Sequence, residues 1–357
     1  MSDLAAPPPD EHGIPTGLRL GLDTFGDRTR GPDGELLAYG QVIRNLADEA
    51  VLADSLGVYA IGIGEHHRDD FAVSEPDMVL AAIASRTSQI RLGTAVTVLS
   101  SDDPIRVVER FNTLDALSNG RAEVTIGRGS FTESFPLFGF DLADYEVLFE
   151  EKLAIFAQAF RGEPVTWSGT HRSPLRNQRI YPPNEKPGGL DAWIGVGGSP
   201  ESVVRSVRTG IPMMLAIIGG DPGRFLPYVD LYHRAQSELG VARMPLGVHS
   251  PGHVADTDEQ AARDLWPHFK AQRDRIGRDR GWPPVTPEDF AREIASGSLY
   301  VGSPDTVAAK IARTASLLGL DRFDLKYSHG PLPHELMMRS IELYGREVIP
   351  RVRELLT

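Results

Sequence analysis

Two adjacent histidines follow an apolar, glycine-containing run in the stretch GIGEHHRDDF, residues 62–71. An imidazole titrates near neutral pH, so His66 and His67 have the chemistry of an acid–base pair or of metal ligands. Neighbouring residues on one strand point to opposite faces, and the two rings are therefore not expected to serve one site in the same way. The residues alone leave a third interpretation open, in which the histidines only support the end of a strand.

A metal site would need ligands from elsewhere in the chain, and His249, His253, His329 and Asp23 are candidates. The sequence has neither a His-x-His pair after its first strand nor a His-Glu-x-x-His helix, and it contains no cysteine. We therefore expect no metal ion. Instead, His249 and His329 are expected, with His67, to line a substrate pocket.

The stretch GVGGSPES, residues 195–202, has features of an anion site. Its glycines let the backbone approach a ligand closely, Ser199 is placed to cap a helix, and Ser202 follows within the first turn. A helix N-terminus offers free N–H groups and positive partial charge to a phosphate. Because VGSPDT, residues 301–306, repeats the pattern at another helix start, an ordinary capped helix fits the spacing equally well. Arg128 would add a bidentate phosphate contact if strands four and five are neighbours.

Eight apolar strand segments alternate with helical segments along the chain. The strand segments are 18–25, 58–65, 90–99, 122–129, 192–198, 212–218, 244–255 and 322–328. Such alternation is typical of a parallel sheet covered by helices, and a count of eight favours a closed (β/α)8 barrel with insertions. Functional groups of such barrels gather where the strands end. We also expect an excursion or small hairpin at 163–189, and a charged loop near 275–300 that is either a lid or a solvated loop.

The composition limits the kind of protein. The net charge is −12 without long single-sign blocks, which argues against binding to nucleic acid or to anionic membranes. The longest apolar stretch, residues 211–219, is about half of a membrane span. Residues 1–16 lack the features of a secretory signal and are predicted to be a disordered leader before a single domain at 17–357. We expect a cytoplasmic protein.

Four segments, in the same order, resemble the bacterial luciferase-like, flavin-dependent monooxygenases. They are EHHRDDF, RLGTAVTVL, LDALSNGRAEVTIGRG and VGGSPESVVRSVRTGIPMML. The resemblance runs from about residue 18 to residue 220 and more loosely to the C-terminus. It implies a (β/α)8 barrel, in agreement with the strand count, and it implies FMN as cofactor and a homodimer.

The resemblance also implies roles for individual residues. His66 matches the histidine near the reacting flavin carbon and is predicted to be catalytic, with His67 supporting it. Thr94 to Val96 match a segment beside the isoalloxazine ring in which family members often have a non-proline cis peptide bond. The phosphate is expected after strands four and five. The predicted cofactor-binding residues are Asp23, Thr94, Ala95, Val96, Arg128, Ser130, Gly197, Gly198, Ser199 and Ser202.

The implied activity is that of a two-component monooxygenase. A separate reductase would supply reduced FMN, and O2 would oxidise a small organic substrate, aldehyde-like or otherwise hydrophobic. His66, with a reference pKa near neutrality, would move the required proton. Bacterial luciferase has an acidic residue where this chain has Gly198, so light emission and the substrate do not carry over. Two alternatives remain, a deazaflavin-dependent hydride-transfer enzyme and a catalytically silent flavin-binding protein.

Overall fold

Parallel strands supply the frame of the molecule. The computed structural model describes residues 17–129 and 131–357, so the predicted leader at 1–16 and Ser130 lie outside the described residues. The strands are β1 Arg19–Thr24, β2 Ala60–Ile63, β3 Arg91–Thr94, β4 Thr97–Val98, β5 Glu123–Gly127, β6 Val165–Trp167, β7 Leu175–Gln178, β8 Asp191–Val196, β9 Met213–Ala216, β10 Leu246–Val254, β11 Tyr300–Gly302 and β12 Arg322–Lys326.

Helices follow most of the strands and cover the outside of the sheet. They are α1 Tyr39–Ser55, α2 Pro76–Ala84, α3 Pro104–Ser118, α4 Ser134–Phe138, α5 Tyr145–Ala159, α6 Pro200–Thr209, α7 Leu226–Glu238, α8 Asp258–Arg280, α9 Pro287–Ala295, α10 Pro304–Leu318, α11 His334–Leu343 and α12 Ile349–Leu355. Short 3-10 helices precede α5 and α7, and a π-helical turn joins α11 to α12. Among the described residues, no helix is both long and apolar enough to cross a membrane.

The strand pairing closes a barrel. The hydrogen-bonded order is β3-β2-β1-β12-β10-β9-β8-β5-β4, and the pairs along this path are parallel. A parallel bridge from Leu92 to Ala122 joins β3 to the start of β5 and completes the ring. Because β3 and β4 belong to one predicted strand that is interrupted at residues 95 and 96, the eight-stranded (β/α)8 barrel expected from the sequence is confirmed.

Two segments of the sequence interrupt the alternation of strands and helices, 163–189 and 275–300, and the prediction is confirmed only for the first. The excursion at 163–189 contains an antiparallel hairpin, β6 with β7, as predicted. The expected loop near 275–300 is wrong in large part, because α8 continues to Arg280 and α9 covers Pro287–Ala295. Only a few residues of α8 are buried, so the apolar periodicity that identifies a helix from sequence is weak there. Contacts such as Lys270 Nζ with the Asp274 carboxylate, one turn apart, support this exposed helix instead.

The barrel interior is charged at its lower end. Arg322 is 2% exposed and binds Glu123 Oε1 at 2.6 Å and Asp324 Oδ2 at 2.9 Å. Arg91 Nε reaches the other oxygen of Glu123 at 3.1 Å. A buried charge is tolerated when it is paired and hydrogen-bonded, and these ions fill the barrel below its open end. Gly21 leaves the room for this network, because a Cβ there would lie 2.2 Å from Asp324 Oδ1.

Candidate functional site

A cavity of about 340 Å³ lies where the barrel strands end, and most of the predicted site residues line it. The predicted residues in its wall are Asp23, His66, His67, Thr94, Ala95, Val96, Arg128, Gly197, Ser202 and His249. Gly198 and Ser199 belong to the same loop as Gly197 without lining the cavity, and Ser130 lies outside the described residues. Cavities of this size at this end of a barrel are typical small-molecule sites.

His329 does not lie with the other predicted residues. It is 2% exposed, and its Nε2 bonds the carbonyl of Gly252 at 3.1 Å, behind the cavity wall. The prediction that His329 lines the substrate pocket is therefore corrected, since His329 is not in the cavity wall. A residue at the end of a strand has the same local sequence pattern whether it points into the barrel or packs under a helix. Phe269 of α8 packs near its ring, with 6.4 Å between the centroids.

The segment between β3 and β4 crosses the cavity wall with a cis peptide bond between Ala95 and Val96, as the resemblance implied. Glu65 holds the outgoing strand: the Val98 N–H donates to Glu65 Oε2 at 2.9 Å, and His67 Nε2 bonds Glu65 Oε1 at 2.9 Å. His67 thus acts on the segment through Glu65, a residue that the sequence placed at a strand end without giving it a role.

Glycines on the neighbouring strands make room for this segment. A Cβ at Gly127 of β5 would lie 2.8 Å from Val96 Cγ2, and one at Gly195 of β8 would lie 3.1 Å from Val96 Cγ1. A Cβ at Gly62 of β2 would lie 3.1 Å from the Ala95 Cβ. Contacts this close are rare or absent between real side chains, so the cavity wall depends on three glycines from three strands.

Three phenylalanine rings enclose His66. Phe71 stacks on the imidazole with 4.1 Å between centroids, and Phe25 and Phe131 present edges at 5.0 and 5.3 Å. Burial disfavours the charged imidazolium and lowers the pKa of His66 to about 3, with nearby Lys326 adding to the effect and Asp27 opposing it. His66 is therefore neutral at physiological pH. The prediction that its reference pKa suits it to shuttle a proton does not fit this environment.

The loop between β8 and α6 supplies the anion-binding features. Ser199 caps α6: its Oγ accepts from the Ser202 N–H at 3.3 Å and donates to Ser202 Oγ at 2.9 Å. Arg205 Nη1 also donates to Ser202 Oγ, at 3.1 Å. Since that oxygen already accepts twice, its own proton remains available for a ligand.

The second Gly-Ser-Pro sequence has a different environment. The Ser303 N–H, at the start of α10, donates to Asp258 Oδ1 at 2.6 Å, and Thr306 Oγ1 donates to Asp258 Oδ2 at 2.9 Å. A carboxylate of this chain therefore already lies at the N-terminus of α10, where an anionic ligand would bind. The start of α6 borders the cavity instead, which separates two motifs that the sequence alone could not tell apart.

Two arginines flank the start of α6, and α5 supplies a carboxylate to each. Arg128 Nη1 binds Glu146 Oε1 at 2.5 Å, and Arg205 Nε binds Glu150 Oε1 at 2.6 Å. Arg205 was not predicted as a site residue, although its position three residues after Ser202 places both on one helix face. Both glutamates are more than half exposed, so the two ion pairs are weak and an anion can compete with them.

The inner end of the cavity is polar. His249 Nδ1 is hydrogen-bonded to Asp23 Oδ2, and both side chains are less than 10% exposed. Arg322 and Asp324 lie in the wall of the same region. Burial raises the pKa of Asp324 to about 6 although Arg322 opposes the shift, and Asp23 adds to it.

The end of helix α8 lies beside the mouth of the cavity. Arg68 binds Asp70, Glu133 and, at 2.8 Å, Asp279 near the end of α8. Its guanidinium lies 4.6 Å from the ring centroid of Phe131, and that of Arg280 lies 5.3 Å from the same ring. The region expected to be a loop is thus a helix fixed to the rim of the cavity by ion pairs and cation–π contacts.

The chain is similar in sequence to proteins that include monooxygenases and proteins named as uncharacterized. The chain is 28% identical over 354 residues to the uncharacterized protein y4wF of Sinorhizobium fredii, covering 95% of this chain and 98% of that protein. It is 29% identical over 313 residues to 4-hydroxyprotoasukamycin monooxygenase of Streptomyces nodosus subsp. asukaensis, covering 84% of each.

Solved structures agree on the fold. Monooxygenase RslO1 from Streptomyces bottropensis superposes with a TM-score of 0.79 at 23% identity, over 93% of this chain and 99% of that one. The oxygenating constituent of 3,6-diketocamphane monooxygenase from Pseudomonas putida, in complex with FMN, gives 0.75 at 19% identity over 94% and 99%. The coenzyme F420-dependent tetrahydromethanopterin reductase of Methanopyrus kandleri gives 0.64 at 18% identity over 94% and 99%.

The profile of one protein family covers most of the chain. The profile of the luciferase-like monooxygenases matches residues 26–322, which include every strand of the barrel from β2 to the start of β12 and the whole wall of the cavity except Asp23, Phe25 and Asp324. Both the barrel and the cavity at its open end are thus features of the matched region. The chain belongs to the luciferase-like monooxygenase family.

Proposed function

We propose that this protein is an FMN-dependent monooxygenase that receives reduced FMN from a separate reductase and uses O2 to oxidise a small organic molecule. One observation carries the proposal: a single cavity brings together the Ala95–Val96 segment, His66, Arg128 and the N-terminus of α6. These groups come from different strands, and they offer an apolar wall at one end and anion-binding groups at the other.

The donors at the outer end fit a phosphate monoester. Arg128 offers a bidentate cation, the loop at Gly197 and Gly198 offers backbone N–H groups at a helix N-terminus, and Ser202 offers a hydroxyl proton. Gly198 has a φ of +100°, which a residue with a side chain rarely adopts, and its Cβ would lie 3.3 Å from the Phe225 ring. An acidic side chain at this position is therefore disfavoured by conformation as well as by charge.

The inner wall fits a planar ring system. Thr94 Oγ1 bonds the Thr125 carbonyl at 3.1 Å and accepts from Thr97 at 3.0 Å, which fixes the ends of the cis segment. The side chains of Ala95 and Val96 then form an apolar surface beside the three glycines. When bound in its reduced form, FMN supplies the two electrons needed to activate O2.

The residues of this chain bind the cofactor, exclude water and provide hydrogen bonds. Phe25, Phe71 and Phe131 shield the surroundings of His66 from water. Since His66 is neutral, it serves as a hydrogen-bond donor or acceptor at the ring end and not as a store of protons. No side-chain hydrogen bond joins His66 to another residue in the described parts of the chain, so its ring nitrogens are available to a ligand.

Access to the outer end supports exchange of the cofactor with a reductase. Gly197 is exposed and Arg128 is 30% exposed, so the phosphate end lies next to solvent. A cofactor held this way is bound and released like a substrate. We also propose that the protein is cytoplasmic and that it forms a homodimer. Light scattering in solution would test the homodimer.

Equilibrium binding tests the cofactor. We expect FMN to quench or shift its fluorescence with a Kd in the micromolar range, riboflavin to bind at least tenfold more weakly, and Arg128→Met to remove most of this difference. Arg346→Met, which changes an exposed arginine paired with Glu342 one turn away, serves as the control. Tighter binding of the deazaflavin F420 than of FMN, or equal binding of FMN and riboflavin, would contradict the proposal.

Isotope labelling tests the reaction. With reduced FMN and 18O2, a monooxygenase places one labelled oxygen atom in the product and one in water. The first substrates to assay are small apolar aldehydes, ketones and phenols. A protein that binds FMN tightly but transfers no label to any of them would favour a silent flavin-binding protein.

A further inference from the structure

Asp23 and His249 form a buried acid–imidazole contact at the polar end of the cavity. Asp23 is the penultimate residue of β1 and His249 lies on β10. The two strands flank β12, so the side chains meet above Asp324. A neutral imidazole whose Nδ1 faces a carboxylate keeps its proton on Nδ1. The lone pair then resides on Nε2, at the other side of the ring.

That second nitrogen has no partner in this chain. Within residues 17–129 and 131–357, His249 Nε2 has no hydrogen-bond partner, and the ring lines the cavity. Phe25 stacks on the imidazole with 5.7 Å between centroids and 18° between planes, which fixes the orientation of the ring. Asp23 Oδ1 is also buried without a hydrogen bond. An oriented acceptor therefore faces the cavity from its polar end.

The surroundings limit what the acceptor binds. The body of a ligand would contact apolar groups such as Phe25 and Met214. A ligand that arrives as an anion would meet the carboxylates of Asp23 and Asp324, and Arg322 is already paired with Glu123 and Asp324. A neutral molecule that carries an acidic O–H group satisfies both the acceptor and the apolar wall.

We propose that His249 is a catalytic base for a phenol or enol substrate, with Asp23 as its positioning residue. This inference rests on the proposed function for its oxidation step. The substrate O–H bond breaks, the proton passes to Nε2, and the electron pair stays on the substrate oxygen. The resulting phenolate or enolate has an electron-rich carbon next to or across the ring from that oxygen.

The complete reaction balances with the cofactors already named. One oxygen atom of O2 would form a bond to the electron-rich carbon and the other would leave as water, with the two electrons supplied by reduced FMN if Arg128 and the start of α6 hold it as proposed. The hydrogen on that carbon leaves as a proton when the double bonds are restored, and Nε2 returns its proton to the product oxygen. Asp23 stabilises the imidazolium during the interval in which Nε2 carries the proton.

Binding of 4-nitrophenol tests the base without any turnover, because its ionisation is visible by absorbance. Among the described residues, the titratable and charged groups around His249 include Asp23 on β1, and Asp324 and Arg322 on β12. His66 and Lys326 lie beyond the Phe25 ring, with Lys326 Nζ 4.6 Å from its centroid. We expect the bound probe to ionise at least one pH unit below the free probe in the wild type. His249→Gln should remove this shift, and Asp23→Asn should reduce it.

Controls separate a change in the base from loss of folding or loss of cofactor. His233→Gln, an exposed histidine of α7, should keep the full shift. FMN affinity should change less than twofold in His249→Gln. No binding of 4-nitrophenol, an equal midpoint for free and bound probe in the wild type, or a tenfold loss of FMN affinity in His249→Gln would each overturn the proposal. If His249→Gln does not fold, the wild-type and Asp23→Asn titrations still decide it.

Failure of the His249 proposal can be distinguished from failure of the flavin proposal. A wild-type protein that shifts the ionisation of 4-nitrophenol but binds no FMN would refute the flavin proposal and leave the base in place. The opposite pattern, FMN binding with an unshifted probe, would remove His249 as base and leave the flavin proposal intact.

Discussion

At the scale of single residues, environment decides what each histidine does. His66, His249 and His329 have the same side chain, yet one is enclosed by aromatic rings, one is held by a carboxylate at a cavity wall, and one is packed under a helix. Burial lowers the pKa of both His66 and His329 to about 3. Neither therefore carries a charge under physiological conditions.

Replacement of His66 tests its role at the cofactor. We expect His66→Ala to lower kcat by about 100-fold or more, as loss of a positioned hydrogen-bonding group does, while the Kd for FMN changes less than threefold. Steady-state kinetics and fluorescence titration measure the two quantities. Because His66 stays neutral between pH 5 and 8, the pH profiles of kcat of the wild type and of His66→Gln should have the same shape in this range. Loss of FMN binding in parallel with kcat would contradict this assignment.

Replacement of His329 tests the effect of its burial on stability. The unfolded chain takes up a proton at this position near pH 6.5, while the folded protein does not until about pH 3. Lowering the pH from 7 to 5 therefore favours the unfolded state by about 2 kcal/mol through this residue. The free energy of unfolding of His329→Gln, measured in urea, should fall by about 2 kcal/mol less than that of the wild type over this range. His233→Gln should keep the wild-type slope.

At the scale of elements, the interrupted third strand shapes the cavity. β3 and β4 are separated by the cis peptide bond, and the side chains of Ala95 and Val96 fill space that glycines on β2, β5 and β8 leave open. Threonines hold one end of the segment and Glu65 holds the other. The wall therefore depends on five strands together, β2, β3, β4, β5 and β8.

Gly127→Ala tests this packing. Its Cβ would lie 2.8 Å from Val96 Cγ2, so we expect a loss of about 1–3 kcal/mol in the free energy of unfolding and weaker FMN binding. Adding Val96→Ala removes the obstructing methyl groups and should recover most of the stability. Gly219→Ala, whose Cβ meets no atom within 4 Å, is the matched control. If the single Gly127 variant is as stable as the control, the proposed dependence on glycine is wrong.

At the scale of the whole molecule, charged groups join distant parts of the chain around the cavity mouth. Arg68, from the loop after β2, contacts Asp279 of α8, and Arg275 of α8 contacts Asp69 and Asp70 of the same loop. These contacts link residues more than 200 positions apart. They fix α8 beside Phe131 at the edge of the cavity.

Arg68→Met tests whether these contacts hold α8 in place. Loss of the guanidinium removes its contacts with three carboxylates and with the Phe131 ring, so amide hydrogen exchange in residues 275–282 should become several-fold faster. Mass spectrometry of peptic peptides measures this. Arg346→Met should leave the exchange of that segment unchanged. Unchanged exchange in Arg68→Met as well would show that α8 does not depend on these pairs.

The sequence by itself determined the barrel, the loop at 195–202 and the candidate residues around it. Strand and helix patterns, glycine turns and helix caps are local, because each depends on residues within a few positions of one another. For the same reason the excursion at 163–189 was expected and the weakly periodic end of α8 was not.

Only the tertiary structure decided which of these features share a site. It separated the start of α6 from that of α10, where Asp258 already accepts from the Ser303 N–H and the Thr306 hydroxyl, and it brought Arg205 to Ser202 and Asp23 to His249. It also removed His329 from the cavity wall and lowered the pKa of His66. Burial and charge–charge contacts depend on residues that are distant in the chain, so local patterns do not contain this information.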